Sequence, residues 1–197
     1  MGEYSIQEKL SLWSKEIYEN ATAHGWHEET HSSSHYLGLV VTEVAEAIEA
    51  DRNGRMANSV QMADVMRVQA ESETGLCDQW YETWFQLYYN EYIKGSLEEE
   101  FADIVIRILD MAYALHGPMD RMGISPWIGH IGRNSSVVEN AWYFVKKNLN
   151  HDTFSIFDSI GFMFAWADTL DIDLEQHIEW KMKYNKLRPY KHGGKKY

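Results

Sequence analysis

Two pairs of carboxylates, Glu43 with Glu46 and Glu100 with Asp103, stand three residues apart inside otherwise apolar stretches. On a helix that spacing puts both members of a pair on one face. From Phe101 to Leu115 the chain is apolar almost all round (Ile104, Val105, Ile106, Ile108, Leu109, Met111, Tyr113), the pattern of a helix buried on most sides. Glu100, Asp103, Arg107 and Asp110 interrupt it, and at ~100° per residue they share one narrow stripe. Upstream, Leu37, Val40, Val41, Val44 and Ile48 form an apolar stripe, with Glu43 and Glu46 opposite, beside Tyr36, Leu39 and Ala50 rather than Lys or Arg. A carboxylate taken into the interior costs several kcal/mol unless it is paired or binds metal. One reading is an internal salt bridge from Asp103 or Asp110 to Arg107. The other is a divalent cation shared by the two helices. At least four carboxylates against one Arg leave a negative excess that would be partly protonated if unpaired. All-oxygen ligands suit Mg²⁺ or Mn²⁺ better than zinc. The sequence therefore predicts a divalent cation between the two helices, with Glu43, Glu46, Glu100, Asp103 and Asp110 as the carboxylates within reach.

Such residues need rigid elements, and the sequence supplies helices. Only three prolines interrupt 197 residues. Four pairs have the spacing of capping boxes, Ser5/Glu8, Ser96/Glu99, Ser136/Glu139 and Asp173/Gln176, each leading into helical periodicity. Apolar clusters such as VVTEV do not alternate with polar residues as a half-buried strand would. Helices are predicted near 5–23, 33–52, 58–72, 76–94, 97–116, 135–149, 153–170 and 174–187. Joints fall at Gly25, Gly54, Gly75, Gly95, Gly117 and Gly132. The fold class is all-α, with residues 1–197 as a single domain.

A formal charge of −12 argues against a nucleic-acid binder, because phosphate backbones repel an acidic surface. Yet seven of the eighteen Lys and Arg fall between Lys181 and Lys196, where no Asp or Glu occurs. An acidic body with a basic tail suits a ligand that combines cations with phosphates. No apolar run approaches the ~20 residues of a membrane span. The start of the chain lacks the apolar stretch of a leader peptide, and Cys77 is alone; a cytoplasmic protein is expected.

In the last helix Lys181, Asn185 and Arg188 recur at i, i+4 and i+7, and Pro189 follows. Lys and Arg hold phosphate oxygens, Arg bidentately. For Lys183, Lys186, Lys191 and Lys196 a solvated tail is the simpler reading. His24, His27, His31 and His35 have spacings that suggest a transition-metal site, but Gly25-Trp26 and Ser32-Ser33-Ser34 break the helix they would need. A solvent-facing loop is expected there. Trp26 could stack on a nucleobase or simply join the core. The aromatic run from Trp80 to Tyr92 reads as packing or a subunit interface.

Glu43-Val-Ala-Glu46 with Ala-Ile-Glu-Ala-Asp-Arg after it, and Glu100-Phe-Ala-Asp103 downstream, resembles the ExxE…ExxD signature of MazG-like nucleoside triphosphate pyrophosphatases. Gly25-Trp26, LEEEFADIVIRILDMA and the closing LDIDLEQHIEWKMKYNKLRPYKHGGKKY are similar to further blocks of that family. Together the similar blocks cover about half the chain. The resemblance implies a helical bundle that uses Mg²⁺ to cleave (d)NTP to (d)NMP and pyrophosphate, with Glu43, Glu46, Glu100 and Asp103 as metal ligands and Lys181, Asn185 and Arg188 on the phosphates. Glu46 and Glu49 are the candidate general bases. It also implies inserted segments near 56–95 and 118–165, and a homodimer. Thr42 stands where many members carry another Glu, leaving that contact absent or supplied by Glu49 or Glu99. Two other readings compete: an inactive bundle acting as an interaction module, and a di-iron carboxylate bundle. The second needs two Glu-x-x-His motifs, and only Glu28 to His31 fits.

Overall fold

The chain folds around its most apolar helix. In the computed structural model, which describes residues 5–71, 78–118, 131, 135–149 and 155–194, the helix α5 (Leu97–His116) is buried on nearly every side. Phe101, Ile104, Val105, Ile108, Leu109 and Ala112 are fully shielded. Four helices pack against it: α1 (Ile6–Ala23), α2 (Ser33–Arg52), α7 (Ile156–Thr169) and α8 (Leu174–Lys186). A fifth, α6 (Val137–Asn148), spans α2 and α7. Each large apolar side chain buried in this way contributes about 1.5–3 kcal/mol. The buried Ser14 hydroxyl donates to the Leu109 carbonyl at 2.9 Å, fixing α1 on α5. Among the described residues there is no strand, and no helix is long and apolar enough to cross a membrane.

The two additional segments behave differently. Within 118–165, α6 and the first part of α7 belong to the main core: Phe144 and Phe162 are fully buried, with ring centroids 5.3 Å apart. Farther along α7, Trp166 packs on Phe101 at 4.5 Å. Within 56–95, α3 (Ser59–Glu71) and α4 (Asp78–Tyr92) form a hairpin with a smaller core of its own. There Met62, Phe85, Tyr89 and Ile93 close on Trp180 and Tyr184 of α8. The aromatic run is thus packing on its inner face, while Trp80, Trp84 and Leu87 are exposed.

The predicted helices match the observed ones to within three residues at each end, and a short turn, α9 (Lys191–Gly194), adds to them. Reciprocal capping boxes form at Ser5/Glu8 and Ser136/Glu139. At Asp173 only the bond from the Gln176 N–H is made. At Ser96 the hydroxyl accepts from the Glu99 N–H, but the Glu99 carboxylate turns inward instead of completing the box. Gly25, Gly54, Gly95 and Gly117 all adopt positive φ; Gly75, Gly132 and Cys77 lie outside the described residues. At Gly25 the reason is also steric, since a Cβ there would come within 2.5 Å of the Tyr190 ring.

Candidate metal and anion site

Where α2, α5 and α8 meet, a cleft of about 440 Å³ opens. Its lining includes Glu43, Glu46, Glu100, Asp103, Lys181, Asn185, Arg188 and Trp26. Residues spread over three helices and a loop, singled out from the sequence, thus share one cavity. Glu49 does not join them. It is exposed on the outer face of α2 and is satisfied there by Arg52 at 3.0 Å and Asn53 at 3.0 Å, because six residues beyond the buried Glu43 the helix has turned it roughly 120° away from the cleft.

The acidic set divides in two. Carboxylate oxygens of Glu43, Glu46 and Glu100 all lie within 4.8 Å of one another. Glu43 and Glu100 are buried and Glu46 is exposed. The Glu100 Oε2 atom is buried with no hydrogen-bond partner, a condition that costs about 1–3 kcal/mol or more for a charged group. Burial, together with the Asp103 and Glu99 carboxylates, pushes the Glu100 carboxyl up to about 8. Arg107 does not pair with Asp103 or Asp110, as the salt-bridge reading had it. Its Nε donates to Glu43 Oε1 at 2.9 Å, across to α2. Burial works against the guanidinium charge, but Glu43 outweighs it and raises the Arg107 pKa.

Asp103 belongs to a second group. Lys181 Nζ lies 2.6 Å from Asp103 Oδ2 and 2.5 Å from Glu99 Oε1, with all three side chains largely shielded. Glu99 also accepts from the Tyr89 hydroxyl at 3.1 Å and from the Gly95 N–H. Burial opposes the ammonium charge of Lys181, yet Asp103 and Glu99 raise its pKa. The Asp103 carboxyl is also raised, chiefly by burial. One ammonium shared with Glu99 does not fully offset that burial and the Glu43 and Glu99 charges. Lys181, expected on phosphate, lines the cleft with its charge shared by two carboxylates inside the protein.

The histidines are not a solvent-facing loop. His27 Nε2 is 2.8 Å from Asp110 Oδ1, its side chain 7 % exposed, and Tyr36 Oη lies 3.3 Å from His27 Nδ1. Burial, with Asp110 nearby, pushes the Tyr36 hydroxyl up to about 12. His24 sits between the carbonyls of Asn20 and Arg188, at 2.7 and 2.8 Å. Helical spacing offers Asp110 the wrong partner, Arg107 one turn back, so only the three-dimensional fold shows the pairing with His27. His31 and His35 stack on each other at 4.0 Å, and Glu28 is engaged by Tyr190 and Lys191.

Lys94 of the cleft lining and Tyr184 beside it carry no signature in the sequence, and Glu99 enters only through the resemblance, as a stand-in for the contact missing at Thr42. Glu99 looks like the far end of a capping box, although it is one helical turn before Asp103. Lys94 and Tyr184 look like an exposed charge and a core aromatic. In the fold Lys94 Nζ bonds the Tyr184 hydroxyl at 2.9 Å, and that hydroxyl donates to Asn90 Oδ1 at 2.9 Å. The cleft thus has an acidic floor, two acid–base pairs in its walls and cations near its α8 end. No protein-family model, curated protein or solved structure matches the chain.

Proposed function

We propose that this chain is a Mg²⁺-dependent nucleoside triphosphate pyrophosphohydrolase of the MazG-like kind, converting (d)NTP to (d)NMP and pyrophosphate in the upkeep of the nucleotide pool. The observation that carries the reading is the convergence of Glu43, Glu46 and Glu100, with Glu100 Oε2 buried and unpartnered among them. An orphaned carboxylate oxygen beside two further carboxylates fits a hard divalent cation, Mg²⁺ or Mn²⁺. Bound there, the cation supplies positive charge to triphosphate oxygens and acidifies a nearby water.

The side chains take separate parts. Arg107 fixes the Glu43 carboxylate. The Lys181 ammonium holds Asp103 at the edge of the triad, which makes Asp103 a supporting residue more than a ligand. Glu46 is the member of the triad open to solvent, so it is the carboxylate placed to take a proton from the attacking water. Trp26 lines the same cleft and offers a flat apolar face to a base. The exposed row of Trp80, Trp84 and Leu87 supports a homodimer as part of the same reading.

The test is purified protein with Mg²⁺ or Mn²⁺ against a panel of NTPs and dNTPs, with products separated chromatographically. NMP and pyrophosphate are expected with no NDP, and ¹⁸O from labelled water should appear in the NMP. NDP as first product, or label in pyrophosphate, overturns the assigned bond; inertness toward every nucleotide overturns the enzyme. A second expected outcome concerns stability. Millimolar Mg²⁺ or Mn²⁺ should raise the melting temperature, since a ligand at 100 times its Kd adds about 2.7 kcal/mol to the folded state. A differential scanning calorimetry trace indifferent to both cations removes the metal from the proposal.

A further inference from the structure

We infer that Lys94 and Arg188, gathered around the Tyr184 ring, form the seat for a polyphosphate anion at the α8 end of the cleft, and that Lys94 takes the part Lys181 cannot. This deepens the reading above and rests on it only for which anion arrives. Three cations surround the Tyr184 ring: Lys94 Nζ at 5.2 Å from its centroid, Lys181 Nζ at 5.8 Å and the Arg188 guanidinium carbon at 6.0 Å. Only Lys181 is neutralised, by Glu99 and Asp103. Among the described residues neither Lys94 nor Arg188 has a carboxylate within ion-pair distance.

What holds Lys94 is neutral: the Tyr184 hydroxyl accepts its bond, and that hydroxyl's own proton goes to Asn90. A π face and a phenol oxygen orient an ammonium without cancelling its charge. Lys94 lies just beyond Ile93 at the end of α4 and Arg188 just beyond Leu187 at the end of α8, and both line the cleft. Asn185, between them in the lining, has its buried Oδ1 unpartnered. Its amide therefore has a free side to offer a ligand, and rotation about its last torsion would present the N–H₂ group there instead. Two unpaired cations and one uncommitted amide, facing three carboxylates along one cleft, match an anion with several charged oxygens that also carries a metal ion.

The experiment is calorimetric titration of the full chain with inorganic pyrophosphate in chelator-containing buffer, so that binding is read without metal. Lys94→Gln is compared with Lys94→Arg and with Lys15→Gln, an exposed lysine on α1 that controls for lost charge. Wild type and Lys15→Gln should bind alike, and Lys94→Gln should bind ~10–100-fold more weakly, the value of one charge-assisted hydrogen bond. Lys94→Arg should recover most of the loss. Pyrophosphate binding that is absent from wild type, or unchanged in Lys94→Gln, overturns the seat even if nucleotides are hydrolysed. Lys94-dependent binding in a chain that hydrolyses no nucleotide would leave the seat standing and overturn the reaction instead. A melting curve of Lys94→Gln, whose altered side chain is exposed, confirms that a folded protein is titrated.

Discussion

Glu100→Gln is expected to abolish turnover while making the metal-free protein more stable above neutral pH. The carboxyl is buried, its Oε2 is unpartnered, and burial with the Asp103 and Glu99 charges lifts it to about 8. Because the folded state holds this proton more tightly than the unfolded chain, the stabilisation from it is complete below the ordinary carboxyl range. It is lost as pH rises to about 8. The metal-free wild type should therefore melt at a lower temperature at pH 8.5 than at pH 6. In Glu100→Gln that slope should flatten, by an amount on the order of a few kcal/mol. The amide keeps the shape of the acid and can donate to the neighbouring carboxylates. Turnover should fall on the order of 10³-fold, since an electrostatic group at the reacting end of the cleft is removed. Denaturation at several pH values and a product assay check the two halves separately. A variant that still turns over, or one that keeps the wild-type pH slope, contradicts the role given to Glu100.

Lys181→Met should be among the most destabilising single changes in the molecule. Its ammonium is the shared counter-charge of Glu99 at 2.5 Å and Asp103 at 2.6 Å, all within the interior. Methionine fills the volume but leaves two buried carboxylates facing each other, at about 3–5 kcal/mol. Protonation relieves such repulsion, so the deficit should shrink toward pH 5, in urea melts followed by circular dichroism. Adding Glu99→Gln to Lys181→Met should return part of the loss, because the two side chains are in direct contact and their effects are not additive. A loss of less than about 1 kcal/mol for Lys181→Met, or a Glu99→Gln addition that only worsens it, would show that the ion pair is not what holds α8 to α5.

Much of this was legible in the chain because helices announce themselves through period and punctuation. Ser5, Ser96, Ser136 and Asp173 all cap helices. The acidic residues inside apolar stripes could be picked out because burial makes an unpaired charge conspicuous. What spacing does not carry is partner choice across helices. Arg107 lies on the stripe of Asp103 and Asp110, yet its bond crosses to Glu43. Lys181 repeats with Asn185 and Arg188, but whether its charge reaches a ligand depends on Glu99 and Asp103 of another helix. The capping-box spacing at Ser96 hides the inward role of Glu99, and Glu49, which only the resemblance puts forward, is turned by its helix toward Arg52 and Asn53. Lys94 gave no signal because its partner, a tyrosine ninety residues on, is not charged.

The Lys181 bridge also imposes an order on how the molecule is made. Translation delivers the acidic helix α5 well before it delivers α8, and domains begin to organise while synthesis continues. In that interval α1, α2 and α5 can bring their apolar faces together, but Glu99 and Asp103 have no ammonium to meet. Their side of α5 has no buried counter-charge until α8 arrives. The fold thus completes this polar seam only when α8 joins α5. A ribosome-stalled or truncated chain ending before Lys181 lacks the charge that permits the cleft to close, and not merely one more packing surface.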